Sequence, residues 1–117
     1  MEWDTSKQIG KIVPIVEKTR VAYVSMENIT HIVCSGYVST VYLVNKSKHS
    51  SSRSLKSYEE EIGQAGFLRM NRQTLVNIRH ATDAQCVKRM LYLGNTIIVV
   101  SKRKVSLLKR HNIPLTS

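Results

Sequence analysis

Acidic residues are scarce in this chain and nearly absent from one half of it. Eight Asp and Glu stand against eighteen Lys and Arg, a formal net charge of +10. Residues 1–68 carry eight basic and seven acidic side chains; residues 69–117 carry ten basic ones and a single acid, Asp83. Solubility does not require such segregation. A one-signed field of this size suits a polyanion, whether DNA, RNA or an acidic membrane surface, with a merely solvated basic face as the plain alternative. Cysteine is also rare: Cys34 and Cys86 allow one disulfide but no disulfide framework, and nothing demands an oxidising compartment. No apolar stretch approaches the roughly 18–20 residues that span a bilayer. The opening MEWDTSKQIG lacks the apolar core of a signal peptide. The chain therefore reads as soluble and intracellular, with no membrane partner.

The motifs of catalysis are missing as well. There is no P-loop, no G-x-S-x-G, no H-E-x-x-H and no C-x-x-C. His31 and Cys34 are three apart on a predicted strand, so they point to opposite faces and make a poor metal or thiol–imidazole site. The only carboxylate cluster, Glu59-Glu60-Glu61, reads more simply as a solvated helix face than as an acid/base pair. GQAG (63–66) formally matches the G-x-x-G of KH domains but closes a helix before a strand, so that reading fails. No catalytic residue, metal site or cofactor is expected.

What is present is one domain's worth of chain, 117 residues with 42% hydrophobic content, enough for a single core. IVPIV (12–16) is β-branched but holds Pro14, which places it at a sheet edge or strand end. VAYV (21–24), ITHIV (29–33) and YVSTVYLV (37–44) follow as strands, the last preceded by a Ser35-Gly36 turn. NKSKHSSSRS (45–54) is polar and serine-rich and reads as a loop. In SLKSYEEEIGQAGF the period changes: Leu55, Tyr58, Ile62 and Ala65 share a helical face. Ser54 or Ser57 can cap this helix, three glutamates near its start suit its dipole, and Gly66 is placed to end it in a left-handed conformation. CVKRMLYL (86–93) and TIIVV (96–100) then form a hairpin about Gly94-Asn95. Ser101 begins a short helix, KRKVSLLKRHN, with Val105 and Leu108 turned inward and Pro114 beyond its end. The pattern is mainly β, with one amphipathic helix near 54–65 and a short C-terminal helix near 102–111.

Three basic clusters remain: Arg69, Arg72, Arg79 and His80 around LVNI; Lys102, Arg103 and Lys104; and, more weakly, Lys46, Lys48 and Arg53. Lys102, Arg103 and Lys104 would fill a helix's first turn, where the dipole penalises each cation by about 0.3–1 kcal/mol. Free backbone N–H groups at the same helix end are good phosphate ligands, so cations there make sense if a phosphate backbone approaches; the alternative is a helix that starts later and leaves these residues in a loop. In FLRMNRQTL, Phe67 can be buried while Arg69 projects away. Asn71, Arg72 and Gln73 are then side-chain types that bond base edges. Salt bridges to the helix glutamates are the competing use of Arg69 and Arg72.

Taken together, ENITHIVCSGYVSTVYL, then SLKSYEEEIGQAGFLRMNRQTLVNIRHA, then a hairpin and VVSKRKVSLLK resemble the LytTR DNA-binding domain of bacterial transcription regulators, from about Ile12 to His111. FLRMNRQTLVN is close to that family's Phe-x-Arg-x-His-Arg-Ser-x-x-Val-Asn pattern, with Asn71 in place of His and Gln73 in place of Ser. The resemblance implies small antiparallel sheets whose loops, rather than a recognition helix, enter successive major grooves and bend the duplex. It places DNA contacts on Ser35, Gly36 and Tyr37, on Asn71 and Arg72, and on Lys102 and Arg103; Arg69 and Lys104 add phosphate charge. It divides the chain into an N-terminal extension (1–11), the domain (12–112) and a tail (113–117). Direct-repeat operators, usual in the family, imply two copies per site, a homodimer on DNA being one arrangement. A receiver domain, common in the family, has no counterpart here, so the chain reads as a stand-alone regulator or as a domain of a longer protein, working in the bacterial cytoplasm at the nucleoid. Sequence-tolerant RNA or single-strand binding is the runner-up, although only seven residues are aromatic. A basic module for an acidic protein partner is the third class.

Overall fold

The computed structural model describes residues 11–111 and 113. β1 (Ile12–Val16) and β2 (Val21–Ser25) form a two-stranded antiparallel ribbon, which places Pro14 on a strand with a free edge, where its missing N–H breaks no ladder. β3 (Ile29–Ser35), β4 (Val38–Leu43), β5 (Lys48–Ser51), β6 (Phe67–Asn71) and β7 (Thr74–Asn77) make a five-stranded antiparallel sheet in the order β5-β4-β3-β7-β6. β8 (Asp83–Gln85), β9 (Met90–Leu93) and β10 (Thr96–Val99) make a third sheet in the order β10-β9-β8. α1 spans Leu55–Ile62 and α2 spans Val105–Arg110. The expected mainly β class with two helices is the observed one.

The large sheet separates two cores. Across one face run Val41, Ile32 and Leu75 in register, covered by Tyr58 and Ile62 of α1 and by Val13 and Ile15 of β1. Across the other run Tyr42, His31 and Val76, and Val76 packs with Met70, Leu91, Ile98 and Leu108 in the second core. Ile29 and Ile32 both face the first core although three positions apart. A bulge between Ile29 and His31 supplies the extra residue that the two-residue period needs. β7 is buried at all four positions because each of its faces meets a core. Its Asn77 is the buried amide, donating from Nδ2 to the Ile29 carbonyl at 3.0 Å.

Several expectations change, and one left open is settled. The serine-rich stretch is not simply a loop: Lys48–Ser51 pairs with β4 as an edge strand, and Ser51 Oγ meets Tyr58 Oη at 2.9 Å. Its polarity is that of an edge strand, where a hydroxyl pair such as Thr40 and Ser50 can replace apolar contacts. The C-terminal hairpin starts at Met90 rather than Cys86, because Cys86–Arg89 is a turn in which Arg89 takes φ +55°. Ser54, not Ser57, caps α1, accepting from Ser57 N–H at 3.1 Å. With that start, the glutamates fall in the helix's second half, where its dipole disfavours them. Cations hold them there: Glu61 pairs with Arg53 at 2.6 Å and Lys11 at 3.7 Å, and Glu59 pairs with Arg69 at 3.2 Å. Two of the three are thus ion-paired rather than simply solvated. Pro114 lies outside the described residues.

Candidate nucleic-acid interface

β3 runs antiparallel to both β4 and β7, with Val33 opposite Thr74 and Ser35 opposite Val38. The β3–β4 and β6–β7 turns therefore emerge at the same end of the large sheet. Cys34 N–H donates to the Gln73 carbonyl at 2.8 Å and fastens one turn to the other. The strand–helix junction joins them through Ser101 N–H, which donates to the Met70 carbonyl at 2.9 Å. Three segments far apart in sequence thus share one end of the molecule. Each was singled out by charge, by resemblance or by both.

In the first segment the two-residue turn Gly36-Tyr37 has positive φ (+62°) only at Gly36, as a hairpin turn matched to strand twist requires. A Cβ there would meet nothing within 4 Å, so the demand on Gly36 is conformational rather than steric. Tyr37 is 92% exposed, an unburied phenol ring at the tip. Ser35 beside it is also exposed.

In the second segment the side chains divide by their partners. Asn71 is used on both sides: Oδ1 accepts from Gln73 N–H at 2.9 Å, and Nδ2 donates to the Val99 carbonyl at 2.6 Å. It ties the turn to β10 and keeps one N–H and one lone pair spare. Arg69 lies beneath the turn, donating to Glu59 at 3.2 Å and to the Arg72 carbonyl at 2.9 Å. Of the two arginines that could have paired with the helix glutamates, Arg69 does so. Arg72 is exposed, and among the described residues its guanidinium has no hydrogen bond or ion pair.

In the third segment Lys102, Arg103 and Lys104 form a 3-10 turn, and the α-helix begins only at Val105. Ser101 makes no side-chain cap; its N–H is directed to β6 and its carbonyl accepts from Lys104 N–H at 2.9 Å. The expected longer helix with cations in its first turn is therefore a 3-10 turn and a six-residue helix. Lys102 and Arg103 are exposed, Lys104 is half-buried, and none is ion-paired among the described residues.

Two grooves join the second and third segments. One, of about 640 Å³, is lined by Arg69, Asn71, Arg72, Arg103 and Lys104, with Glu59 as its only acid. The other, of about 870 Å³, runs between the large sheet and β10, past His31, Arg72, Arg89 and Val99. His31, in its wall, stacks on Tyr42 at 4.5 Å and meets Thr30 Oγ1 at 2.8 Å. Burial holds its imidazole neutral, with the pKa lowered from 6.5 to about 4. Arg79 and His80 follow the other end of β7, where His80 Nε2 donates to the Glu27 carbonyl at 2.7 Å. Lys46, Lys48 and Arg53 do not join the interface either: Lys46 and Lys48 are at the far end of β4, and Arg53 is bound to α1. Arg89 escaped the reading of the sequence because its stretch has the composition of a strand and the turn leaves no glycine or proline signal.

A β-rich domain that gathers unpaired cations from separate loops at one sheet end is built to receive a polyanion. The sequence matches the LytTr DNA-binding domain over residues 19–112, most of the chain. The fold is similar to the LytTr DNA-binding domain of a protein described as a methyl-accepting/DNA response regulator from Bacillus cereus. The TM-score is 0.72 at 16% identity, over 85% of this chain and 94% of that one. No curated protein matches it. The chain belongs to the LytTR family of DNA-binding domains. Among the described residues no helix is long and apolar enough to cross a membrane.

Proposed function

We propose that this chain binds double-stranded DNA sequence-specifically as a bacterial transcription regulator, acting at the nucleoid. The observation that carries the reading is the convergence of Arg72 and Arg103 on one groove with no acidic partner for either. An unpaired guanidinium is planar and bidentate, which suits guanine O6 and N7 in a major groove. Asn71 keeps a donor and an acceptor, the pair an adenine edge needs. Tyr37, Ser35 and the backbone of Gly36 reach the duplex from the neighbouring turn. Lys102 and Lys104 supply phosphate charge, and Arg69 adds to the field while holding the Arg72 turn. Three loops entering successive major grooves require a curved duplex, and two copies on a direct repeat extend the same geometry.

Selection from a random duplex library at physiological salt tests this, repeated with Arg72→Ala/Arg103→Ala. The expected result is a compact motif, repeated about one helical turn apart, that the double variant no longer enriches. Arg103→Ala alone should weaken specific binding by about 1–3 kcal/mol. Five phosphate contacts would give a log–log salt slope of about −4.5. Enrichment of no motif, with binding that merely collapses in salt, would leave a phosphate-holding protein and end the base-reading proposal. Equal or better competition by single strands would favour the RNA or single-strand class instead.

A further inference from the structure

Arg89 stands in the left-handed region at φ +55°, where a side chain larger than glycine's costs about 1–2 kcal/mol. Such a conformation persists only where its surroundings impose it, and two backbone bonds do so here. Arg89 N–H donates to the Cys86 carbonyl at 3.1 Å, closing the turn, and the Arg89 carbonyl accepts from Val100 N–H at 2.8 Å. The next amide along, Ser101, bonds instead to Met70. The backbone at 100–101 is thus clamped between the Cys86–Arg89 turn and the end of β6. This brings Arg89 to the same end of the molecule as Arg72 and Arg103, from a fourth segment.

The Arg89 side chain is half-buried in the wall of the larger groove, in company with Arg72. It has no hydrogen bond or ion pair among the described residues, and no acid lines the groove. Two guanidinium groups along one groove without a counter-charge repel each other, and a bound anion turns that repulsion into attraction. The turn also projects outward: Lys88 is exposed and Val87 is 98% exposed. Arg72 sits on a loop tip and is exposed, whereas Arg89 is recessed. Arg89 is therefore suited to what passes along the groove's rim, a sugar–phosphate strand, rather than to a base edge.

We infer that the Cys86–Arg89 turn is a fourth contact to the duplex, with Arg89 donating to a backbone phosphate and Lys88 adding charge beside it. The inference rests on the DNA-binding reading above. It is tested with Arg89→Asn, whose residue tolerates the left-handed backbone without the charge, and with Arg89→Lys, which keeps the charge. Each is titrated against a selected duplex and a shuffled one across a salt series, with the thermal midpoint measured alongside. Arg89→Asn should weaken binding to both duplexes by the same factor, roughly tenfold, and make the salt slope shallower by about one. Its midpoint should hold or rise, and Arg89→Lys should keep the wild-type slope. An Arg89→Asn protein with unchanged affinity and slope overturns the inference; so does a loss confined to the selected duplex, or a loss with no change in slope. A wild-type chain that binds neither duplex ends the DNA reading itself, before any variant is compared.

Discussion

Arg53, just before α1, is enclosed by partners. Its guanidinium lies 4.3 Å from the Tyr58 ring centroid, donates to Ser57 Oγ at 2.7 Å and pairs with Glu61 at 2.6 Å. Arg72, at the tip of the β6–β7 turn, has none of these contacts. The contrast extends to the regions around them. Lys11, Arg20, Arg53 and Arg69 all have glutamate partners, whereas no ion pair among the described residues involves a Lys or Arg beyond residue 69. The paired cations of the first region serve the fold, binding the ribbon, α1 and the β6–β7 turn to neighbouring elements. Those of the second are left with their charge uncompensated at the fold's edge, where a ligand can use it. Net charge alone would not separate the two kinds.

The sharpest test of that difference is a matched pair of truncations. Arg53→Ala should cost about 1.5–3 kcal/mol of stability, through a lost charge-assisted hydrogen bond, a lost cation–π contact and a Glu61 left with only Lys11. Its effect on DNA affinity should be slight. Arg72→Ala should do the reverse, shifting stability by less than about 0.5 kcal/mol and specific binding by about 1–3 kcal/mol. Urea unfolding and duplex titration on both proteins decide it, and the contrast fails if the two lose stability equally.

Next in size is a pH effect seated between the regions, at His31. Its pKa is lowered from 6.5 to about 4 by burial, so the unfolded chain binds a proton there before the native one does. Stability is therefore complete above about pH 6.5 and falls as pH drops toward 4, by about 2 kcal/mol at pH 5. Comparing unfolding at about pH 7.5 and pH 5 with the same pair of measurements on His31→Gln isolates this share. The variant should lose less on acidification, and equal losses would exclude His31 as the source.

The smallest effect carries a telling sign. Glu59 holds Arg69, which holds the Arg72 carbonyl. Removing a negative charge beside a basic face should strengthen DNA binding if only the field matters. If Glu59 acts by holding the turn, Glu59→Gln should weaken specific binding, by about 0.2–1 kcal/mol, while binding to a shuffled duplex holds or improves. Tighter binding to both duplexes would confine the Glu59–Arg69 pair to the fold.

Much of the architecture was legible because it follows from local rules. Pro14 marked a strand with a free edge, Gly66 the left-handed end of the 3-10 turn (Gly63–Ala65) that follows α1, and Gly94-Asn95 a hairpin. The misreadings share a cause too. Lys48–Ser51 resembles a loop because hydroxyl pairing on an edge strand does not need apolar side chains. Cys86–Arg89 resembles a strand because its backbone is bent by bonds to Val100 and to its own turn, not by a turn-forming residue. The glutamates of α1 looked like dipole partners until Ser54 set the helix start and left them in its second half.

The sequence by itself determined most of the element types, the segregation of charge and the residue chemistry available for a polyanion. These depend on side-chain period and composition, which neighbours along the chain carry. Which arginines are consumed and which are left free was decided only by tertiary structure. Arg69 meets Glu59 ten residues away, Asn71 meets Val99 across twenty-eight, and Ser101 meets Met70 across thirty-one. A guanidinium's partner is set by whatever the sheet order brings within about 3 Å of it, and no local pattern encodes that distance.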